Sequence, residues 1–296
     1  MENHLNQFLT YLRAEKRSSS HTLLAYERDL RQFMEFLADD FEIDEVTDVS
    51  TSAVRSWLML LNTMDYEPRS IHRKMSSLRT FFKFLRREEI CVQDPMVNVK
   101  GPKIPKRLPT YVDEKAMERL LDDFEYPEGY EGLRDKLLVT LFYETGIRLS
   151  ELIGLNVNDL ESRGQIKVLG KRNKERILPI TQSCVTLIED SLTLRIAEVG
   201  ELEKDAPLLL DENGKRLSPK FVYGKVNYYL GKVSTVQKKS PHILRHTFAT
   251  HLLNNGAHLN TVKELLGHSN LSATQIYTHN SIEQLKSIHQ KNHPRG

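Results

Sequence analysis

The stretch VKGPKIPKRLPTYV, residues 99–112, constrains this chain more than any other. Its three prolines fix φ and remove backbone donors, and its glycine loosens the backbone further. A segment built this way neither continues a helix nor enters the middle of a sheet. It also carries four basic residues and no acid. A chain of 296 residues is long enough for a core on each side of such a break. The expected organisation is therefore a first domain over 1–98, a basic linker over 99–110 and a second domain over 111–296.

The first domain reads as helices with no strand signal. QFLTYLRAEK gives one apolar stripe, and Leu23, Tyr26, Leu30, Phe33 and Leu37 give a second, spaced by three and four. STSAVRSWLMLLNTM supplies a third. PRSIHRKMSSLRTFFKFLRREE supplies a fourth, opening on Pro68 and burying Ile71, Met75, Leu78, Phe82 and Leu85. The second domain is mainly helical with a single β signal. VDEKAMERLLDDF starts on Asp113 as a cap, and GLRDKLLVTLFYETG ends on Gly146. GQIKVLGKRNKERILPI alternates Ile166, Val168 and Ile177 around a polar turn, which predicts a hairpin. Further helices carry the chain to its end. The fold class is mainly α with a small β-hairpin, in two domains.

Charge is segregated. Residues 69–87 hold seven Lys/Arg and no acid, and residues 214–263 hold nine and again no acid. GKRNKER, residues 170–176, lies between them, while acids gather at 39–48 and 122–131. With a formal net charge of only +2, this distribution implies a basic face suited to nucleic acid. No apolar run reaches the roughly 20 residues of a membrane helix, and MENHLNQFLT has no basic and apolar leader. Cys91 and Cys184 show no metal-ligand spacing. The expectation is a cytoplasmic protein with no membrane partner.

Four places carry chemistry, and each alone has an ordinary explanation. In TGIRLSEL, Arg148 stands three residues before Glu151, as a surface pair or as an arginine held rigid by its own carboxylate. In the turn GKRNKER, Lys171, Arg172, Lys174 and Arg176 are a solvated tip, or a lysine able to donate a proton to a leaving oxygen. In SPHILRHTFATHLL, Ser240 and Pro241 open a helix that places His242 and Arg245 on one face near its N-terminus, where an anion is favoured. Leu244, Phe248 and Leu252 form its buried stripe. His242 and His246 have the i,i+4 spacing of metal ligands, but Arg245 lies between them and the Glu of HExxH is missing. In LGHSNLSATQIYTH, His268 and Tyr277 are a helix end and a packed aromatic, or an anion ligand and a nucleophile. Taken together, two arginines and a histidine neutralise the charge of a phosphorane while a lysine protonates its leaving group, with no metal or cofactor required.

These motifs, in this order, resemble those of the tyrosine recombinases, specifically the bacterial Xer-type site-specific recombinases. The resemblance covers the whole chain and implies a SAM-like helical domain, a basic linker with KRLP and a C-terminal catalytic domain. It implies catalytic roles for Arg148, Lys171, His242, Arg245 and His268, with Tyr277 as the nucleophile that forms a 3′-phosphotyrosyl link. Arg172 departs from the family pattern, where many relatives have glycine. DNA contacts are expected from Arg69, Arg73, Lys74, Arg79, Lys83, Lys106, Arg107, Arg172 and Lys174. The partners implied are a double-stranded DNA recombination site, a homo- or hetero-tetramer passing through a Holliday junction, a paralogous recombinase and a septal DNA translocase. The biological role implied is resolution of chromosome dimers at a terminus site during cell division. The tail SIEQLKSIHQKNHPR resembles the C-terminal helix that relatives dock on a neighbouring subunit, with packing on its own domain as the plain alternative. Two other readings stay open: a DNA-binding regulator of the same fold without catalysis, and a metal-dependent nuclease.

Overall fold

The computed structural model describes residues 1–105, 110–161, 164–170, 175–199, 203, 205–267 and 279–295. The chain divides into two units between residues 107 and 108.

The first unit is four helices: α1 (Glu2–Ala14), α2 (Ser20–Phe41), α3 (Thr51–Thr63) and α4 (Pro68–Arg87). The starts of α2, α3 and α4 have local causes. The Ser19 and Ser50 hydroxyls accept from the backbone N–H groups of Thr22 and Ala53, and Pro68 occupies the first turn of α4. The stripe read from α4 is fully buried, and Leu30, Phe33 and Leu37 meet it from α2. Phe33 packs against Trp57 of α3 with ring centroids 4.9 Å apart. After α4 the chain returns along its own helix bundle, burying Cys91, Met96 and Val99 in the same core. Arg79 Nη2 donates to the Val99 carbonyl at 3.0 Å, and His72 Nε2 bonds the Pro102 carbonyl at 2.8 Å. Gly101 suits this close approach, because a Cβ would stand 2.7 Å from His72 Cε1 and press on that side chain. The basic stretch thus begins as part of the first unit.

The second unit opens with α5 (Glu114–Glu118), capped as expected by Asp113, whose Oδ1 accepts from Ala116 N at 2.9 Å. The helix continues as a π-helical turn over Arg119–Asp123, which 3.6-residue periodicity does not foresee. Then come α6 (Tyr130–Thr145) and α7 (Leu149–Gly154). An antiparallel sheet follows, β1 (Leu160–Glu161), β2 (Gln165–Leu169) and β3 (Glu175–Pro179), paired in the order β1-β2-β3. Helices α8 (Gln182–Val199), α9 (Pro219–Val233), α10 (Pro241–Asn254), α11 (Leu259–Leu265) and α12 (His279–Asn292) complete it. The two-residue β1 is too short to leave an alternation in sequence.

One expectation is corrected, and one alternative is seen in the single chain. In the hairpin, Ile166 and Val168 point inward as read, but their partners across the ladder are Leu178 and Arg176. Residues directly opposite share a face, so Arg176 and Leu178 are buried and Ile177 is only half-buried. In the tail, α12 packs on its own domain in this single chain. Leu285 joins Phe248 and Leu252 in a small core, while the His289 and His293 Nε2 groups bond the carbonyls of Glu144 and Tyr143 at 2.7 and 3.1 Å.

Helix α6 runs through the middle of this unit and is buried all round over most of its length. It ends at Gly146, with φ +59° and its N–H on the Phe142 carbonyl at 3.0 Å. Only glycine fits this turn, because a Cβ would lie 2.4 Å from Phe248 Cδ1. The turn brings the end of α6 against α10 and delivers Arg148 two residues later.

Candidate active site

Arg148 occupies the N-cap position of α7 in extended conformation. Its own N–H donates to Glu151 Oε2 at 2.9 Å, and its Nη1 donates to Glu151 Oε1 at 2.7 Å. Its Nη2 reaches across to the Gly267 carbonyl at 2.9 Å. Arg245, in the second turn of α10, donates from Nη1 to the Gly146 carbonyl at 2.5 Å and from Nη2 to the Leu266 carbonyl at 2.6 Å. Arg245 thus bridges the turns 146–148 and 265–267, and Arg148 extends from the first of them to the second, with Glu151 holding its other nitrogen. Each retains N–H donors beyond those used for its own support, as an anion ligand needs.

Burial and the neighbouring charges of Arg148 and Arg176 hold the Arg245 guanidinium down to about 10, so it stays protonated at neutral pH. Burial pushes the Glu151 carboxyl upward, but Arg176 and then Arg148 more than offset it and hold the group at about 2. Arg176 makes the firmest of these contacts. It is buried, it pairs with both Glu151 oxygens at 2.9 and 2.7 Å, and its Nε donates to the Leu265 carbonyl at 3.2 Å. Three guanidiniums against one carboxylate leave this cluster positive, which favours an anionic oxygen centre beside it.

His242 is exposed in the first turn of α10, one turn from Arg245 and on the same face. Its neighbour His246 is also exposed. Among the described residues no group of three or more His, Cys, Asp or Glu is arranged to hold a metal. Lys171, His268 and Tyr277 lie outside the described residues, as do Lys106, Arg107, Arg172 and Lys174. Of the catalytic expectations, the structure brings Arg148 and Arg245 together and places His242 one turn from Arg245 on α10. Sequence reading missed the inward position of Arg176. Pairing the hairpin residue by residue finds it, since Val168 lies opposite Arg176.

In the first unit, Arg69, Arg79 and Lys83 are exposed on α4. Arg73 is half-exposed and ion-paired with Asp29. Lys74 departs from expectation: it is buried, with Nζ on Asp29 Oδ1 at 3.1 Å and Gln32 Oε1 at 2.5 Å, below the rings of Trp57 and Tyr66. Asp29 is itself fully buried and also accepts from Ser77 Oγ at 2.9 Å. Lys74 therefore ties α4 to α2 and presents no charge to a phosphate.

Two family models match this architecture unit by unit. Residues 5–89 match the phage integrase N-terminal SAM-like domain, and residues 110–284 match the phage integrase family. The chain belongs to the phage integrase family. Curated relatives are tyrosine recombinases over their full length. The chain is 40% identical to tyrosine recombinase XerC of Listeria innocua serovar 6a, covering 98% of this chain and 97% of the relative. It is 35% identical to tyrosine recombinase XerD of Halalkalibacterium halodurans, covering 100% and 99%. Among solved structures, XerH recombinase bound to a palindromic difH substrate matches with a TM-score of 0.71 at 22% identity, over 96% of this chain and 83% of that one. The Tn1549 transposon integrase in complex with circular intermediate DNA matches with a TM-score of 0.69 at 17% identity, over 95% and 98%. The phage integrase fold is thus shared across both units, and the chain is a Xer-type tyrosine recombinase, an enzyme that breaks and rejoins DNA at specific sites.

Proposed function

We propose that the enzyme cleaves each strand through a 3′-phosphotyrosyl intermediate at Tyr277. The phenolic oxygen gives up its proton to a base, the role offered to His242, and attacks the scissile phosphorus; a P–O bond to tyrosine forms and the bond to the 5′-oxygen breaks. Lys171 gives its proton to the departing 5′-oxygen, which leaves as a hydroxyl. Arg148, Arg245 and His268 hold the nonbridging oxygens as negative charge builds, and His242 assists proton transfer or positioning. The tyrosyl ester conserves the phosphodiester energy, so a second 5′-hydroxyl reverses the step without ATP or a metal. Arg69, Arg73, Arg79 and Lys83 contact the DNA backbone from the first unit, joined by Lys106, Arg107, Arg172 and Lys174.

The observation that carries this reading is the double anchoring of Arg148 and Arg245 on one pair of turns, with donors to spare. An arginine that merely tethers DNA at the surface needs no such support. Four protomers on two DNA sites pass through a Holliday junction, working with a second copy or a paralogue. The biological task is chromosome dimer resolution at a terminus site during cell division, triggered by a septal DNA translocase. The relatives named tyrosine recombinase XerC and XerD, at 40% and 35% identity, support the recombinase part of this reading.

The test is a nicked duplex carrying the enzyme's own site, recovered by binding selection and incubated in EDTA. A covalent protein–DNA band on a denaturing gel is expected. Specific binding without that band favours a non-catalytic regulator of the same fold, and cleavage only when a divalent metal is restored favours a nuclease.

A further inference from the structure

Arg176 belongs to neither of the two arginine motifs, yet it is the most buried guanidinium of the cluster. It fills both oxygens of Glu151, the carboxylate that also receives the Arg148 backbone N–H and Nη1. Its Nε holds the Leu265 carbonyl. Gly267, with φ +63°, lies against it so closely that a Cβ there would stand 3.2 Å from Nε and Nη1. One side chain on β3 therefore fastens three pieces of chain: the start of α7 that carries Arg148, the turn 265–267 that immediately precedes His268, and the strand that follows the hairpin turn bearing Lys171.

A buried carboxylate facing two arginines needs both. With one removed, Glu151 keeps a single ion-paired partner in a site that burial makes costly for an anion. Protonated, it loses acceptor capacity and releases Arg148 from its bidentate hold. The charged groups acting on Glu151 are Arg176 from β3, Arg148 at the head of α7 and Arg245 from α10.

We propose that Arg176 is a positioning residue for strand cleavage: it keeps Glu151 ionised and so fixes Arg148 and the 265–267 turn in register with the scissile phosphate. This rests on the recombinase reading above. Loss of Arg176 leaves DNA binding in place, because Arg176 is buried and offers nothing to the backbone. It slows covalent complex formation, and it makes that slowing pH-dependent.

The experiment compares wild type, Arg176→Met, Arg176→Lys and the double variant Arg176→Met with Glu151→Gln on the nicked duplex. Binding is followed by gel shift and cleavage by the covalent band, from about pH 8 to about pH 6. Arg176→Met is expected to bind within about twofold of wild type and to cleave at least about tenfold more slowly. Its rate relative to wild type falls further as pH is lowered, because Glu151 takes up a proton. The double variant has no titrating group there, so its rate relative to wild type is flat with pH. Arg176→Lys keeps the charge and one hydrogen bond, and shows an intermediate rate with a weaker acid dependence; it decides the matter if Arg176→Met does not fold. A relative rate near one, or a reduced rate that is flat with pH in the single variants, overturns the inference. A wild-type enzyme that gives no covalent band overturns the recombinase reading itself, which separates the two failures.

Discussion

At the scale of the residue, the same charged side chain means opposite things depending on what faces it. Arg148 and Arg245 are anchored by backbone carbonyls and keep donors free, whereas Lys74 spends its ammonium on Asp29 and Gln32. Alanine at Arg148 or Arg245 is expected to leave specific DNA binding within a few-fold while covalent complex formation falls by about 10²–10³, the loss of one oriented oxyanion donor. Gel shift and the denaturing gel, run on the same samples, measure the two quantities. Equal losses in both would make these arginines simple phosphate anchors. Asp29 answers to a different measurement. Asp29→Ala strips Lys74 and Arg73 of their shared partner and leaves a buried ammonium uncompensated, at about 3–5 kcal/mol of stability. Urea denaturation of the full chain detects this as an early loss of the first unit. An unchanged midpoint would mean that water replaces the carboxylate.

At the scale of the element, apolar periodicity was a sound guide wherever a helix buries one face. The α4 stripe and the Leu244, Phe248 and Leu252 stripe of α10 are buried residue for residue. It failed where a polar side chain occupies an inward position. Arg176 breaks the alternation of β3, so the eye moves to Ile177, and only cross-strand register restores the correct face. Lys74 looks like part of a basic flank because Asp29 lies 45 residues away in sequence. The tail helix shows the same limit, since His289 and His293 read as polar but stack face to face inside the domain, 4.8 Å apart. Burial, then the neighbouring His289, presses the His293 imidazole down to about 3, well below its ordinary value. A base depressed on folding binds fewer protons folded than unfolded, so its stabilising effect is full above about pH 6.5 and is lost progressively as pH falls toward 3. His293→Gln keeps a donor for the Tyr143 carbonyl but cannot titrate. The wild type is expected to lose more thermal stability than this variant between about pH 7 and pH 4.5. Parallel Tm curves would show that α12 does not depend on a neutral imidazole.

At the scale of the whole molecule, the sequence carried the two-domain fold class and the family further than it carried the support beneath the arginines. The order of TGIRLSEL, GKRNKER, HILRHTFATHLL and LGHSNLSATQIYTH is linear information, and the family match agrees with it. The buried partners are not linear: Glu151 serves arginines from two elements, and the carbonyls holding Arg148 and Arg245 come from turns about 120 residues apart. On the proposed mechanism these parts serve a single demand, that a phosphate in the site be held by arginines that do not move while one hydroxyl attacks it. The most direct test isolates the covalent protein–DNA adduct formed on the nicked duplex, digests it and locates the modified residue by mass spectrometry. The account predicts a 3′-phosphate ester on Tyr277, and no adduct from Tyr277→Phe despite unchanged DNA binding. An adduct on any other residue, or one that persists in Tyr277→Phe, would contradict it.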